Sequence, residues 1–453
     1  MKKWKATVLL TVVLVITAIL TVISFVRFPV GTNDFNGFLG AIQTDYDLSG
    51  GTAYTLTLDK DNLKDVENVD EVINTLKYRL NLLGYENYSV KAVKDVDEAV
   101  KDYDIRIEAR GSVNEYGKVD TDTLASDIRV AAAYGELKFF GGSEKNPTEE
   151  ILTKGVAIAD ASYGGITTIS SKTVYIINIT FTDYGYNGIQ ELLNENNGSC
   201  FLRVDVGDNS ITGIEGMSIS ASSFAKNYPL TTEAGESMAR QFALQIKTGG
   251  LAYKYNVGDG VEVSSPLGKN TDVRCVIAIA ALIAMVIVAM FVIDKKYGLI
   301  SCLSMILFTD LYLFLLIAIP GIKVAFGGVI GFALAVLLAA DGFIITSKRI
   351  KEEFARGKTV KSAVRTGFMR ALMPVAGESA IAMAGALILL ALTGGAIKNF
   401  AIVFAIGVAV SAITTLLFAR MFTSLILPLV DYKESFFGLN RIENANGAEN
   451  EGE

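Results

Sequence analysis

Six stretches of this chain run for about twenty residues with at most one charge apiece, close to the length that crosses a bilayer core as a helix. Residues 6–26 carry no charge and follow Lys2, Lys3 and Lys5. Residues 275–293 are also uncharged. Asp310 alone breaks residues 298–319, Asp341 breaks 324–347, Glu378 breaks 371–397, and residues 399–419 are uncharged again. The first run exceeds the roughly 7–15 apolar residues of a cleaved signal peptide. It ends in Ser24-Phe25-Val26-Arg27, so an uncleaved anchor is expected. The runs predict an α-helical polytopic membrane protein with six spans.

Charge separates the rest into compartments. Residues 30–272 hold 36 acidic and 21 basic residues, whereas the remainder holds 12 acidic and 20 basic. Lysine and arginine orient membrane helices through the short loops. Three lysines precede the first run, Lys295 and Lys296 follow the second, and eight basic residues lie in 348–370. The alternate loops hold only Lys323 and Lys398. Both termini are therefore expected in the cytoplasm and residues 30–272 outside. The boundaries are 1–29 for the N-terminus and first span, 273–419 for spans two to six, and 420–453 for a cytoplasmic tail, disordered at its end.

Several function classes drop out. The chain has no histidine, which excludes His-based triads, metal sites and proton switches. Cys200, Cys275 and Cys302 lack CxxC spacing, so neither a disulfide framework nor a zinc site is expected. No GxxxxGK[ST] or GxGxxG motif occurs. No cofactor, metal or catalytic motif is expected, and nucleic acid is not an expected partner.

The outer region reads as α+β. Tyr54, Leu56 and Leu58 alternate as in a strand, and Val69, Ile73, Leu76, Leu80 and Leu83 follow at helical spacing, with Gly84 placed to end the helix. Strands at 89–93 and 103–109, a helix through Leu124 and Ile128, and a strand through Leu137 and Phe139 complete βαββαβ. That order predicts a ferredoxin-like base over about 46–141 and 231–262. Gly-, Ser- and Asn-rich loops mark an inserted head over about 145–230, with strands at 175–181 and 201–206. A helix at 233–248 and a strand near 251–255 lead back to the membrane.

Chemistry is expected at the acids inside the spans, because a carboxylate at mid-bilayer costs on the order of 3 kcal/mol on insertion scales. Helical rise puts Asp341 about 9 Å and Glu378 about 10 Å from the cytoplasmic ends of consecutive spans, with Asp310 deeper at about 18 Å. The alternative is that each acid belongs to a polar packing network. Gly394-Gly395 and Ala382, Ala384, Gly385 and Ala386 read as helix-packing positions.

Four motifs, in order, carry a family resemblance over about residues 5–430. Asp47-Leu48-Ser49-Gly50-Gly51 is similar to Gly-Leu-Asp-Leu-x-Gly-Gly. Asp341 followed by Lys348-Arg349-Ile350-Lys351-Glu352-Glu353 resembles the end of the family's fourth span. Gly357-Lys358-Thr359-Val360 through Gly367-Phe368-Met369-Arg370-Ala371 resembles its cytoplasmic connector, and Lys398-Asn399-Phe400-Ala401 with Ala405-Ile406-Gly407 its last span. The chain thereby resembles the SecD family of the resistance-nodulation-division superfamily. Departures stand at Asp45-Tyr46, Phe343, Lys348 and Glu378.

The resemblance implies an accessory component of protein export, driven by the proton-motive force in the bacterial cytoplasmic membrane. It also implies a SecF-like membrane subunit, the SecYEG translocon and emerging unfolded polypeptide as partners. By the same resemblance the proton path runs through Asp341, with Asp47, Leu48, Gly50, Gly51, Arg349, Lys398 and Phe400 as motif residues; Glu378 and Asp310 are further relay candidates as acids within the spans. A lipid or small-molecule transporter of the superfamily is the alternative. An aspartyl protease on Asp310 and Asp341 lacks Gly-x-Gly-Asp, since Leu338-Ala339-Ala340 precedes Asp341. A scaffold without proton flux would tolerate amides at all three acids.

Overall fold

The computed structural model describes residues 3–430 apart from 27, 31–32, 36, 60–68, 95–102, 113–118, 136, 153–156, 170–171, 208, 214, 250 and 252. The acidic tail, expected to be disordered, lies outside the described residues from 431 onward. The chain divides into two compact units, one built on residues 1–49 and 264 onward, the other on residues 50–114 and 118–263.

An apolar helix α1 (Lys3–Phe25) opens the first unit, followed by a hairpin of β1 (Phe28–Val30) and β2 (Asn33–Phe35) and two short helices, α2 (Gly37–Ala41) and α3 (Tyr46–Ser49).

The second unit begins with β3 (Gly51–Leu58), α4 (Val69–Leu82), β4 (Tyr88–Lys94), β5 (Tyr103–Ala109) and α5 (Thr121–Ala131). Next come β6 (Leu137–Gly142), β7 (Glu150–Leu152), β8 (Ile158–Ile169), β9 (Lys172–Phe181), α6 (Asp183–Glu195), β10 (Ser199–Val206), β11 (Asn209–Ser210), β12 (Met217–Ser220) and β13 (Asn227–Thr232). Helix α7 (Glu236–Thr248) then leads to β14 (Tyr255–Val257) and β15 (Val261–Val263). The base core joins Tyr54 and Leu56 of β3 to Leu76 and Leu80 of α4, Ile105 and Ile107 of β5, and Leu124 and Ile128 of α5. Gly84, at φ 90°, ends α4 with the paired bonds of a Schellman turn, Tyr85 N–H to Leu80 O and Gly84 N–H to Asn81 O.

One strand departs from the expected base. β3, β5 and β4 are adjacent and antiparallel, but β6 pairs with β10 and β7 in a separate sheet. The place beside β3 is filled from the far end of the unit by β14 and β15. The reason lies in what β6 buries. Leu137 and Phe139 enter the head core, where Phe139 meets Phe181 edge-on at 6.2 Å. Gly135, at φ 137°, lets the chain approach Gly207 so closely that an added Cβ would lie 2.6 Å from its nitrogen. The head core also takes Ala239, Phe242, Ala243 and Ile246 of α7, so the head draws in more chain than 145–230. Near 251–255, Leu251 makes only an isolated parallel bridge to Tyr134, and the strand itself starts at Tyr255.

Arg79 of α4 is fully buried where the chain crosses between base and head. Its guanidinium donates to Ala131 O (2.7 Å) and Ala133 O (2.9 Å) at the end of α5, and to Thr248 Oγ1 (2.9 Å) and Gly249 O (2.6 Å) at the end of α7. Burial pushes it down to about 10, which leaves it charged at physiological pH. The negative ends of two helix dipoles suit a cation there.

The first unit resumes with α8 (Thr271–Asp294), a 3-10 turn at Lys295–Tyr297, α9 (Gly298–Ala318), α10 (Phe326–Ala355), α11 (Val360–Leu392), α12 (Gly395–Ile413), a π-helical turn at Thr414–Phe418 and α13 (Ala419–Ile426). Among the described residues, five helical stretches are long and apolar enough to cross a membrane. One of them, Thr271–Ala318, is broken at Lys295 (φ 52°) into α8 and α9, which lie side by side. The fifth run ends at Leu392 rather than at 397, because Gly394 is extended and Gly395 is left-handed at φ 59°. The last run continues past 419, because α13 buries Phe422, Leu425 and Ile426.

Helix packing uses different small residues from those expected. Ala384 and Gly385 are exposed, a Cβ on Gly385 or Gly394 would meet nothing within 4 Å, and only Ala386 of the group is buried. The close approach is between α10 and α12. A Cβ would lie 2.1 Å from Ala396 O at Gly327, 2.8 Å from Phe400 O at Gly331, and 2.3 Å from the Ala335 Cβ at Gly407. Tyr312 seals this seam, stacked on Phe332 at 4.4 Å and donating to Val403 O at 2.6 Å.

Candidate functional site

Helix α10 presents Ile330, Leu334, Leu337 and Asp341 at spacings that place them on one stripe, and all four are exposed. The opposite face is consumed by the glycine seam with α12, so the geometry that packs α10 also turns Asp341 outward. On α11, Met373, Ile381, Ile388 and Leu392 form a second exposed apolar row, with Met373 and Ile381 each 77% exposed. Half-buried Glu378 lies beside it, with its carboxyl next to that of Asp341. Two carboxyl groups side by side can share a proton between neighbouring helices.

Asp310 does not join them. Thr21 of α1 donates to its Oδ2 at 2.7 Å, and the side chain is 1% exposed. It borders an apolar cleft of about 760 Å³ lined mainly by α1, α8 and α9. The relay candidates therefore separate into an exposed pair and an isolated buried acid, because α1 lies across the face of α9 that carries Asp310.

The motif residues serve several structural ends. Leu48 is buried in the helical core, and Gly50 adopts φ 74°. Gly51 lies so close to the neighbouring strand that a Cβ would sit 2.2 Å from Ala109 O. Asp47 Oδ2 accepts from Phe326 N–H at 2.8 Å, capping α10 from a distant segment. Arg349 makes an exposed ion pair with Glu352 at 2.7 Å, Phe400 stacks on Phe404 at 5.5 Å, and Lys398 is half-buried.

Three polar residues were not singled out by sequence. Asp294, fully buried, accepts from Ser347 Oγ and from Lys351 Nζ (2.8 Å), tying the end of α8 to α10. It lies one residue past an uncharged run and reads there as a loop acid. Glu353 is 1% exposed yet faces Arg356 (2.7 Å), Lys358 (2.6 Å) and Arg370. Asn399 holds the loop before α10, accepting from Ala325 N–H at 2.9 Å and donating to Lys323 O. Only its place beside Lys398 and Phe400 in a motif hinted at it. Among the described residues no group of three His, Cys, Asp or Glu could hold a metal ion.

No family model matches the chain. It is 25% identical over 397 residues to the protein translocase subunit SecDF of Brucella abortus, covering 84% of this chain and 50% of that one. It is 28% identical over 205 residues to the protein translocase subunit SecD of Escherichia coli (strain K12), covering 45% of this chain and 33% of that one. Against SecD of Acidaminococcus fermentans the identity is 30% over 190 residues, covering 42% and 45%. The chain thus spans about half or less of these curated relatives. It shares its fold with the crystal structure of SecDF in the super-membrane-facing form, at a TM-score of 0.69 and 19% identity, over 93% of this chain and 57% of that one.

Proposed function

We propose, from the premise that this multi-pass membrane chain is a SecD-type protein, that it is an accessory subunit of protein translocation powered by the proton-motive force. In this reading it lies in the bacterial cytoplasmic membrane with both termini inside. It works beside a SecYEG channel and acts on polypeptide emerging on the outer side. The observation that carries the reading is the exposed Asp341–Glu378 pair set in an apolar stripe. An uncovered carboxylate within hydrocarbon costs on the order of 3 kcal/mol, so the stripe calls for a covering membrane half. The SecDF relatives carry about as much chain again beyond the matched part. A separate SecF-like chain is the cover we assign.

With that cover in place, the pair can pass a proton between helices. One carboxyl donates as the other accepts, and each loss or gain changes the charge between α10 and α11. The activity is transport coupling rather than bond-breaking catalysis.

Disulfide cross-linking tests the cover. Single cysteines at Leu337 and Ile381, in a chain with its own three cysteines replaced, should cross-link to membrane-helix cysteines of the co-expressed SecF-like chain. A cysteine at Val288, an exposed α8 position, should not. Cross-links that form only between identical chains, or equally from all three positions, would contradict the assignment.

A further inference from the structure

Three consecutive residues at the start of α10, Val324, Ala325 and Phe326, are held by partners from outside the helix. Val324 N–H donates to Gln43 O at 2.7 Å, and Asp45 N–H donates to Val324 O at 3.0 Å. Ala325 N–H is met by Asn399 Oδ1, and Phe326 N–H by Asp47 Oδ2. The first N–H groups of a helix have no partner within it, and a carboxylate is favoured there by the helix dipole. Asp47 supplies that carboxylate across 279 positions of sequence.

Asp47 has a second partner. Its own carbonyl accepts from Ser265 Oγ at 2.5 Å. Ser49 and Ser264 are where the chain leaves and re-enters the helical unit. One residue therefore bonds to the outgoing segment through its backbone, to the returning segment through its carbonyl, and to α10 through its side chain. Helix α10 runs without interruption over Phe326–Ala355 and bears Asp341. A 30-residue helix clamped at one end transmits displacement along its axis better than a loop does.

We infer that Asp47 is the positioning residue that couples Asp341 to the outer unit, by making α10, residues 43–49 and residues 264–267 move as one joint. The inference rests on the proton-driven reading above. A change at the Asp341–Glu378 pair then reaches residues 50–263 through this joint from both of its ends. Asp47 touches no proton carrier itself.

The test uses the full chain with its SecF-like partner and compares Asp47→Ala, Asp47→Asn and Asp341→Asn. Two quantities are read: the secretion of a precursor that depends on the proton-motive force, and amide hydrogen exchange at residues 326–329 of the purified complex. Asp47→Ala should lose force-dependent secretion as fully as Asp341→Asn does. Its amides should exchange about five- to tenfold faster, the worth of a helix cap. Asp47→Asn keeps an acceptor oxygen and should retain slow exchange and most secretion. Faster exchange in Asp47→Ala with full force-dependent secretion would overturn the inference, since the residue would then only cap a helix. Full secretion in Asp341→Asn would instead overturn the proton-driven reading. If Asp47→Ala fails to accumulate, Ser265→Ala takes its place: lowered force-dependent secretion with slow Phe326 exchange supports the joint, and unchanged secretion refutes it.

Discussion

Replacing Arg79 by methionine should loosen the crossing between base and head without touching the membrane helices. The guanidinium is fully buried and makes four hydrogen bonds, three of them to main-chain oxygens at the ends of α5 and α7. Bonds from a charged donor contribute about 1.5–3 kcal/mol each, and a buried acceptor left unmet costs about 1–3 kcal/mol. Against these stands the several-kcal/mol cost of burying the cation, which methionine does not incur. Thr248 keeps its bond to Leu244 O and also reaches Gly249 O at 3.2 Å, so the carbonyls of Ala131 and Ala133 are the groups orphaned. The expected net loss is about 2–4 kcal/mol, set by the two unmet carbonyls and offset in part by the relieved burial of the cation. At 1.36 kcal/mol per tenfold, that is roughly thirtyfold or more in protection. Hydrogen exchange in the intact protein should show it at the ends of α5 and α7, with Arg79→Lys intermediate, because an ammonium cannot span both helix ends. A change below about tenfold in Arg79→Met would mean that the carbonyls find other partners, and the reasoning would fail.

Three further outcomes follow from other sites. Glu353→Gln leaves three partly exposed cations facing a neutral amide at a position 1% exposed, a loss of about 1–2 kcal/mol once solvent screening of the cations is counted, and trypsin should cut after Arg356 and Lys358 faster in the solubilised protein. Unchanged cleavage would show that the connector does not depend on the cluster. Burial raises Asp127 above its ordinary 3.8, despite the Tyr85 hydroxyl at 2.7 Å and nearby Arg240. A carboxyl raised in the fold opposes folding once ionised, and the penalty grows as pH rises from 3.8 through the raised value. Asp127→Asn, which still accepts from Tyr85, should therefore stabilise the unit of residues 50–263 at neutral pH and have no effect below 3.8; the same gain at both would refute it. Gly407→Leu should lower the melting temperature through overpacking worth about 1–3 kcal/mol, since a Cβ there lies 2.3 Å from the Ala335 Cβ. Gly385→Ala, with open space around it, should not lower it. Equal falls in both would argue against the glycine seam.

How much of this was legible in the sequence depended on range. Uncharged runs of bilayer length and the Gly84 helix stop are local signals: the runs fall within five long apolar helical stretches, one of them broken at Lys295, and Gly84 ends its helix. Consecutive spans at similar depth were enough to bring Asp341 and Glu378 together. Alternation in β6 identified Leu137 and Phe139 as buried, but alternation tells which face is buried and not which sheet a strand joins. Small residues on α11 looked like a packing face, yet composition cannot say which side a neighbouring helix takes; α10 and α12 took that role. The polar clamps were hidden because their partners lie far off in sequence. Arg79 reaches Ala131 and Gly249, and Asp47 reaches Phe326. The setting of Asp310, read as deeper than the other two acids, was hidden for the same reason, since its partner Thr21 belongs to the first helix.

The central claim is that the exposed carboxyl pair couples protons to protein export. Precursor secretion, measured with and without a proton-motive force in cells carrying Asp341→Asn at normal expression, tests it most directly. The account predicts that the force-dependent component disappears while the force-independent component and the membrane level of the protein stay unchanged. Secretion that keeps its full dependence on the force would make Asp341 a packing residue and would contradict the account.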